Sequence, residues 1–444
     1  MAEVVHEPAV DGRALYAKIS WRLIPYMFLL YIVAYMDRVN VGFAAMDMQR
    51  ALLFSNTVYG TGAGMFFLGY ASGNLPSGLM LQRVGTRRWI AWTMMAWGLV
   101  SASMVLVGSP GSFYALRFLL GIAEAGFVPG MLLYLTFWFP SHVRARAVAK
   151  FMTATSLAGV VGGPLSSALL KLNGVGGLSG WQWLFLFEGL TTLVVGASVL
   201  FLLRDGPDEA KWLKPEERLW LRGELERDRK MFGAVKQEKF SDAFKLPVVW
   251  ALTGVYVIIQ IGVYVVNLWM PLMLSNLTRG GTDSSVIARY STLPYLLAAI
   301  FTVIVGWSSD RWSERRGHLA GCMALAAVGF AWAAHAESIP VALCAMSLVA
   351  IGLFSTMGPF WALTTRMVGG AAAAGGVAII TATGAVGGFL GPYVTGRLRD
   401  ATHSFASGLY LISGLALGAA MLSLVVGRSW RMNSSSNSFV VKND

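Results

Sequence analysis

Four ionisable residues lie inside apolar segments that are each long enough to cross a lipid bilayer, which needs about 20 residues of helix. Asp37 and Arg38 stand within IPYMFLLYIVAYMDRVNVGFAAM, and Arg117 and Glu124 within FYALRFLLGIAEAGFVPGMLLYLTFWFP. A charged side chain at the bilayer centre costs about 2.5–3.5 kcal/mol on insertion scales. These residues must therefore face one another or a water-filled path, either as a functional pocket or as structural ion pairs.

The residue types favour an anion pocket with acid groups that carry protons. Arg117 and Glu124 are seven residues apart, about two helical turns, so they share a face with Gly121, which lets a helix or a ligand approach closely. The planar fork of an arginine matches a carboxylate, so Arg38 and Arg117 are candidates to bind one. Asp37 and Glu124 are then the candidate proton carriers. All the histidines lie in tails, loops or span ends: His6, His142, His318, His335 and His403.

The composition is that of an integral membrane protein. Of 444 residues 56% are hydrophobic and only 13% are charged, and the mean hydropathy is +0.59. Hydropathy predicts about twelve spans: 20–44, 57–80, 88–107, 113–139, 146–170, 183–203, 247–275, 288–308, 318–335, 340–364, 372–396 and 406–427. The expected class is an all-α integral membrane protein with two pseudo-symmetric six-helix bundles.

The net charge of +12 is spread between the spans rather than gathered in one patch, which indicates membrane topology and not nucleic-acid binding. Short loops on the side of both termini hold ten Lys and Arg residues, and the opposite loops hold six. This bias predicts cytoplasmic termini and a multi-pass protein of the plasma membrane. We expect a monomer.

The chain divides at a charged central segment that contains eleven basic and ten acidic residues. Pro215, followed by Glu216 and Glu217, predicts the start of a surface helix there. The predicted divisions are a tail at 1–19, a bundle at 20–203, a linker at 204–245, a bundle at 246–428 and a tail at 429–444.

One sequence offset relates the two bundles. Adding 228 to Gly78, Gln82, Arg83, Arg87 and Arg88 gives Gly306, Asp310, Arg311, Arg315 and Arg316, and the same offset takes Gly159, Gly163 and Pro164 to Gly387, Gly391 and Pro392. Parallel repeats are typical of transporters that bind substrate between their halves. The proposed gating motif comprises Gly78, Arg83, Arg87, Asp310, Arg311 and Arg315.

The second bundle offers neutral polar side chains instead of charges. Tyr256, Gln260, Tyr264 and Asn267 recur at helical spacing and predict a stripe that faces the cavity, together with Trp361. In the first bundle, Glu188 is expected at the membrane interface. Cys322 and Cys344 are expected to be small buried side chains, and we predict no metal, cofactor or catalytic residue.

Several stretches resemble the anion:cation symporter family of the major facilitator superfamily. GLMLQRVGTRRW and GWSSDRWSERRGH are similar to the superfamily's loop motif; YMDRVNVGFA, GYASGNLPSG, RFLLGIAEAGFVPG, FPSHVRARAVAKF, GWQWLFLFEGL and GGFLGPYVTG are similar to that family. Within it the chain resembles permeases for tartrate, phthalate and hydroxyphenylacetate. The resemblance implies proton coupling by Asp37 and Glu124, carboxylate binding by Arg38 and Arg117, and pocket walls from Tyr35 and Tyr70.

The chain departs from the family pattern at a few positions. Thr381 and Ala385 occupy positions in the eleventh span where the family often has Asn. Thr155 occupies a position where the family has a polar amide, and Gln82 one where Asp is common. A less hydroxylated or aromatic carboxylate is therefore expected rather than a sugar acid. The leading hypothesis is a proton-coupled symporter of such an anion. The alternatives are a drug/proton antiporter of the same fold, a membrane-embedded hydrolase and a non-transporting sensor.

Overall fold

Helices form all the regular secondary structure in the part of the chain that the structure describes. The computed structural model describes residues 10–152, 154–233, 240–278, 281–368 and 372–437. A helix satisfies its backbone hydrogen bonds internally, as hydrocarbon surroundings require. The predicted all-α class is confirmed.

The six predicted spans of the first half correspond to eight described helices. They are α1 (Gly12–Leu52), α2 (Asn56–Val84), α3 (Thr86–Ser103), α4 (Pro110–Glu124), α5 (Phe127–Thr136), α6 (Ser141–Met152), α7 (Ala154–Leu170) and α8 (Gly180–Leu202). The fourth span is formed by α4 and α5, and the fifth by α6 and α7. Of the predicted amino-terminal tail, residues 1–9 lie outside the described residues.

The linker and the second half supply the remaining helices of the described chain. They are α9 (Pro215–Gly233), α10 (Pro247–Leu277), α11 (Ser284–Tyr290), α12 (Thr292–Arg311), α13 (Arg316–Ala333), α14 (Ile339–Ser355), α15 (Met357–Met367), α16 (Ala372–Thr402) and α17 (Ala406–Asn437). Among the described residues, ten segments are long and apolar enough to span a membrane, and the second and ninth predicted spans are the helices α2 and α13.

Helix starts follow local capping chemistry. The Asp11 carboxylate accepts hydrogen bonds from the backbone of Arg13 and Ala14, which satisfies two donors at the start of α1. The Ser55 hydroxyl caps α2 in the same way. The linker helix begins at Pro215, as the sequence predicted.

The sequence repeat is visible in how the halves pack. Helix α2 packs against α16, and α7 packs against α11 and α12. By the sequence offset of 228, α2 corresponds to α11 and α12, and α7 corresponds to α16. The contact of α2 with α16 is therefore equivalent to the contact of α7 with α11 and α12. The predicted pseudo-symmetric bundles are confirmed.

The linker helix α9 docks onto the first half. The Lys18 ammonium lies 2.7 Å from a Glu217 carboxylate oxygen, and the Ser141 backbone and hydroxyl both donate to Asp228. Burial raises the pKa of the Asp228 carboxyl, but the hydrogen bonds from Ser141 outweigh burial and hold this pKa below its usual value. We call this end of the bundle the linker end and the opposite end the far end.

The two halves are joined at the far end by one carboxylate. Asp400, near the end of α16, accepts hydrogen bonds from the backbone and side chain of both Asn56 and Thr57, at 2.6–3.2 Å. These residues begin α2, so a negative charge is placed at the positive end of a helix dipole. The packing beside it is close, since a Cβ on Gly60 would lie 2.3 Å from the carbonyl oxygen of Pro392. The structure is closed at this end.

Replacing Asp400 by asparagine is expected to open the far end. The amide retains the shape but loses the charge and one of the two accepting oxygens, so the closed-to-open ratio should fall about tenfold, or about 1.4 kcal/mol. Spin labels at Leu53 and Gly281, both exposed and in opposite halves, would report the opening as a longer distance in pulsed electron resonance. An unchanged distance distribution would remove Asp400 from the gate. Asp208→Asn, at the linker end, is the matched control.

Candidate functional site

An ion pair between α1 and α4 lies at the centre of the first half. Arg38 Nη2 donates to Glu124 Oε1. The Glu124 side chain is 1% exposed and that of Arg38 is 13% exposed, so the arginine is the member that reaches open space. Its guanidinium stacks over the rings of Phe66 and Tyr70 on α2, at 5.4 and 5.2 Å from their centroids. The pair thus consists of a buried carboxylate, that of Glu124, and a partly accessible guanidinium, that of Arg38, which the faces of two aromatic rings hold in place.

Asp37 is not part of this ion pair, although it is the neighbour of Arg38. Its carboxylate accepts hydrogen bonds from Trp97 Nε1 at 3.1 Å, Ser101 Oγ at 2.9 Å and Thr192 Oγ1 at 2.5 Å. Consecutive helical residues point about 100° apart, so Asp37 is directed between α3 and α8 while Arg38 is directed toward α2 and α4. The expectation of a single cluster of paired charges is wrong for Asp37, which is buried among neutral donors.

Arg117 is fully buried behind α2. Its Nη2 lies 3.4 Å from the Ala63 carbonyl oxygen, and its guanidinium is 5.1 Å from the centroid of the Phe66 ring. Within the described chain its Nε and Nη1 have no hydrogen-bond partner. Arg117, Gly121 and Glu124 share the buried face, as their spacing predicted. The group that approaches Gly121 is a helix, since a Cβ there would lie 2.0 Å from the carbonyl oxygen of Phe66.

Glu188 was predicted at the membrane interface, and that prediction is wrong. It is 5% exposed, beside Asp37 and the Asn40 amide, and neither carboxylate oxygen makes a hydrogen bond of good geometry among the described residues. The missed signal is the small-residue face of α8: a Cβ on Gly189 would lie 2.4 Å from the Ala102 backbone nitrogen. Because α3 packs this closely, it covers the face that carries Glu188.

The predicted polar stripe of α10 divides into two parts. Asn267 donates to the Tyr35 hydroxyl at 3.2 Å and accepts from the Tyr295 hydroxyl at 2.8 Å. Tyr264 packs on Phe67 with ring centroids 4.1 Å apart. In this conformation Tyr264, Asn267 and Tyr35 therefore join the two halves and do not line an open cavity.

The other part of the stripe forms an aromatic corner in the second half. The Tyr256 ring lies 5.1 Å from that of Phe360 and 5.3 Å from that of Trp361, centroid to centroid. Tyr256, Gln260 and Trp361 are all half-buried. These side chains offer a partly accessible wall with few polar atoms.

The two copies of the gating motif make different contacts. Arg87 lies 3.2 Å from Asp205 and 3.5 Å from Glu209, so the first copy is tied to the start of the linker. Arg315 pairs with Asp310 of its own copy at 2.6 Å. The side chain of Gln82 lies outside the described residues. Two further members are exposed, Arg83 and Arg311, and open space surrounds a third, Gly78.

Nothing in the described residues assembles a metal site, since no group of three His, Cys, Asp or Glu side chains comes together there. Both cysteines are free thiols. Cys322 is buried as expected, whereas Cys344 is exposed, which corrects the expectation for that residue.

The central groups form an acid–base arrangement that an anion can perturb. The guanidinium of Arg38 can bind Glu124 or an incoming carboxylate through the same N–H groups. Protonation of Glu124 would remove its negative charge and weaken its ion pair with Arg38. Arg117 adds a second buried positive charge within electrostatic reach of Glu124 and Asp37. An anion that displaced Glu124 from Arg38 would therefore compete with an acid that can take up a proton.

Comparisons with known proteins find a matching family, curated relatives and solved structures of similar fold. A model of the Major Facilitator Superfamily matches residues 27–392. A protein of Agrobacterium vitis named "Putative tartrate transporter" is 43% identical over 95% of this chain and 92% of its own length. A "Quinolone resistance transporter" of Acinetobacter baumannii is 37% identical over 92% of this chain and 94% of its own. The crystal structure of a bacterial homologue of the human lysosomal transporter Spinster has a TM-score of 0.75 at 17% identity, covering 94% of this chain and 98% of that one.

Proposed function

Because this chain belongs to the Major Facilitator Superfamily, we propose that it carries a small organic carboxylate into the cell together with protons. It is a multi-pass membrane transporter and not an enzyme. The observation that carries the proposal is the Arg38–Glu124 pair, in which the partly exposed arginine is, among the described residues, the one cation at ion-pair distance from the buried acid. We expect the protein to act as a monomer in the bacterial inner membrane.

Coupling follows from competition for Arg38. A substrate carboxylate that takes the Arg38 fork leaves Glu124 as an unpaired buried carboxylate, which is costly in a low-dielectric interior. A proton on Glu124 removes that cost, so substrate binding favours protonation and protonation favours substrate binding. The linkage is reciprocal, as any binding coupling must be.

The charges of the buried region set a minimum for the number of protons taken up with each substrate carboxylate. Asp37, Glu124 and Glu188 are opposed by Arg38 and Arg117, so with all five ionised one negative charge is uncompensated. Each substrate carboxylate adds another. One proton per carboxylate is therefore the smallest uptake that leaves the charge of this region unchanged on loading. Glu188, unlike Asp37, makes no hydrogen bond of good geometry among the described residues, although the Asn40 amide lies beside it, and it is a further candidate to accept that proton.

The loop charges orient the protein in the membrane. The linker end carries the ten Lys and Arg residues and the far end carries six, so we place the linker end and both termini in the cytoplasm. The far end, closed by Asp400, then faces outward, so the structure corresponds to a state of an alternating-access cycle in which the outer side is closed.

The residues around the central site favour an aromatic or sparsely hydroxylated substrate. Tyr256 and Trp361 supply partly accessible ring surface, and the fully buried Phe360 packs against Tyr256. The Thr381 hydroxyl, at a position where the family often has Asn, donates to the Val377 carbonyl of its own helix at 2.8 Å. It is therefore less available to a substrate hydroxyl group.

Purified protein in vesicles with an imposed pH gradient tests the proposal. With acid outside, at least one of labelled tartrate, phthalate, hydroxyphenylacetate or nicotinate should accumulate, and a protonophore should abolish the accumulation. If none of these or related carboxylates accumulates while the protein is folded, the proposed function is wrong.

Drug efflux is the second candidate, and the quinolone resistance relative favours it. With acid outside, a drug/proton antiporter would expel a fluorescent quinolone that had been loaded into the vesicles, because inward proton flow drives outward drug flow. A quinolone has a carboxylate of its own, so a permanently cationic fluorescent dye is the second probe. An antiporter of cations would keep transport of this dye in Arg38→Ala, whereas a carboxylate symporter would lose transport of its substrate in that variant.

A further inference from the structure

A second polar cavity lies at the far end, between the two halves. Its volume is about 310 Å³, within the range of small-molecule sites. It is lined by residues from α1, α2, α10, α16 and the loop after α16: Met46, Gln49, Arg50, Asn56, Leu272, Ser275, Asn276, Arg399 and Phe405. Neither half forms it alone, so the cavity exists only while the far end is closed.

The wall of this cavity is positively charged. Arg50 comes from the first half and Arg399 from the second, and the other polar lining groups are amides and one hydroxyl. The nearby carboxyl groups do not line the cavity: Asp47 lies near Arg50 and Asp283, and Asp400 follows Arg399 in the sequence. Asp400 is engaged by the start of α2, as described above.

The second-half arginine is held in a fixed position. Arg399 Nη2 donates to the Asn276 side chain at 2.8 Å, and Nη1 donates to the His403 carbonyl oxygen. Its guanidinium also lies 4.8 Å from the centroid of the Phe405 ring. A guanidinium that is already ordered loses little entropy when it binds an anion.

A packed layer separates this cavity from the central pair. The Tyr59 hydroxyl donates toward the carbonyl oxygens of Leu268 at 2.8 Å and Val41 at 3.2 Å, and its ring packs edge-on against Trp269. Tyr59 and Trp269 are fully buried. An anion at Arg399 therefore cannot reach Arg38 while this layer is closed.

We infer that this cavity, which we call the vestibule site, is a regulatory anion site that binds a small carboxylate or inorganic oxyanion. A ligand bridging Arg50 and Arg399 contacts both halves and so binds only the state in which they are together. It therefore stabilises the closed far end. Given the orientation in the proposed function, external anion at high concentration holds the transporter closed on its outer side and slows uptake.

Inorganic sulfate is the probe. The measurement is the distance between spin labels at Leu53 and Gly281, in protein whose Cys322 and Cys344 are replaced by serine. Sulfate should raise the closed-to-open ratio at least about fivefold, the lower end of typical coupling. Arg399→Gln and Arg50→Gln should each abolish the shift. Arg397→Gln, whose side chain is exposed two residues away and contacts Tyr393, should keep it. No shift in the unsubstituted protein, or the same shift in Arg399→Gln, would overturn the inference.

A transport measurement separates this site from the central one. Sulfate outside the vesicles should lower the maximal uptake rate, and more substrate should not reverse the effect, whereas binding at Arg38 would be competitive. Purely competitive inhibition would assign sulfate to the central site and contradict the inference. The distance measurement needs no transported substrate, so a failure of the proposed function leaves the vestibule site open to test.

Discussion

Replacing Glu124 by glutamine is expected to abolish proton-driven accumulation of the carboxylate while leaving exchange across the membrane. Glutamine has the shape of a protonated glutamate but cannot release a proton. It also leaves the Arg38 fork without its anionic partner, so that the fork remains available to substrate. The site should therefore load and reorient, but a pH gradient should no longer be coupled to it.

The size of the effect follows from the gradient. One pH unit is about 1.4 kcal/mol, so two units support about 100-fold accumulation for one coupled proton. In Glu124→Gln the ratio of internal to external substrate should fall to about one, while counterflow of labelled against unlabelled substrate continues. Full accumulation by this variant would refute the coupling role. Glu337→Gln, an exposed glutamate, controls for the chemical change itself.

Asp37 is expected to respond differently, because its environment differs. Three neutral donors hold its carboxylate between α3 and α8, and no guanidinium contacts it at hydrogen-bond distance among the described residues. A substrate that takes Arg38 does not remove a partner from Asp37. Any proton coupling through Asp37 must therefore act through packing between α1, α3 and α8 rather than through direct competition.

The sequence predicted the faces of the helices better than their partners. Spacing alone placed Arg117, Gly121 and Glu124 on one buried face, because a helical period fixes which residues share a side. It could not show that the neighbour of Gly121 is α2. The sequence offset likewise predicted the twin bundles, because equivalent segments make equivalent contacts.

What sequence reasoning missed depends on contacts between distant segments. Glu188 looked like an interfacial residue because it is close to the start of a span, and only the close packing of α3 on α8 buries it. The polar side chains of α10 lie on one helical face, but the packing of the first half against that face decides that Asn267 joins the halves while Gln260 stays partly accessible. Helical periodicity contains no information on which part of a face the other half will cover.

Replacing Arg38 by lysine is expected to weaken carboxylate binding about 10- to 100-fold, although the charge is retained. A bidentate guanidinium–carboxylate pair contributes about 1.5–3 kcal/mol, and an ammonium group cannot reproduce both hydrogen bonds. Lysine also loses the planar stacking on Phe66 and Tyr70 that orients the fork. The dissociation constant of purified protein, measured by isothermal titration with the carboxylate that accumulates in vesicles, reports the change directly.

The lysine substitution distinguishes recognition from folding. Because the ammonium group in Arg38→Lys would still neutralise Glu124, the thermal unfolding temperature should stay close to that of the unsubstituted protein, whereas Arg38→Ala leaves the buried acid unpaired and should lower it. Arg311→Lys, at the exposed end of α12, should change neither quantity. An unchanged affinity in Arg38→Lys would mean that the fork does not hold the substrate, and the competition with Glu124 that couples the proton would then have no basis.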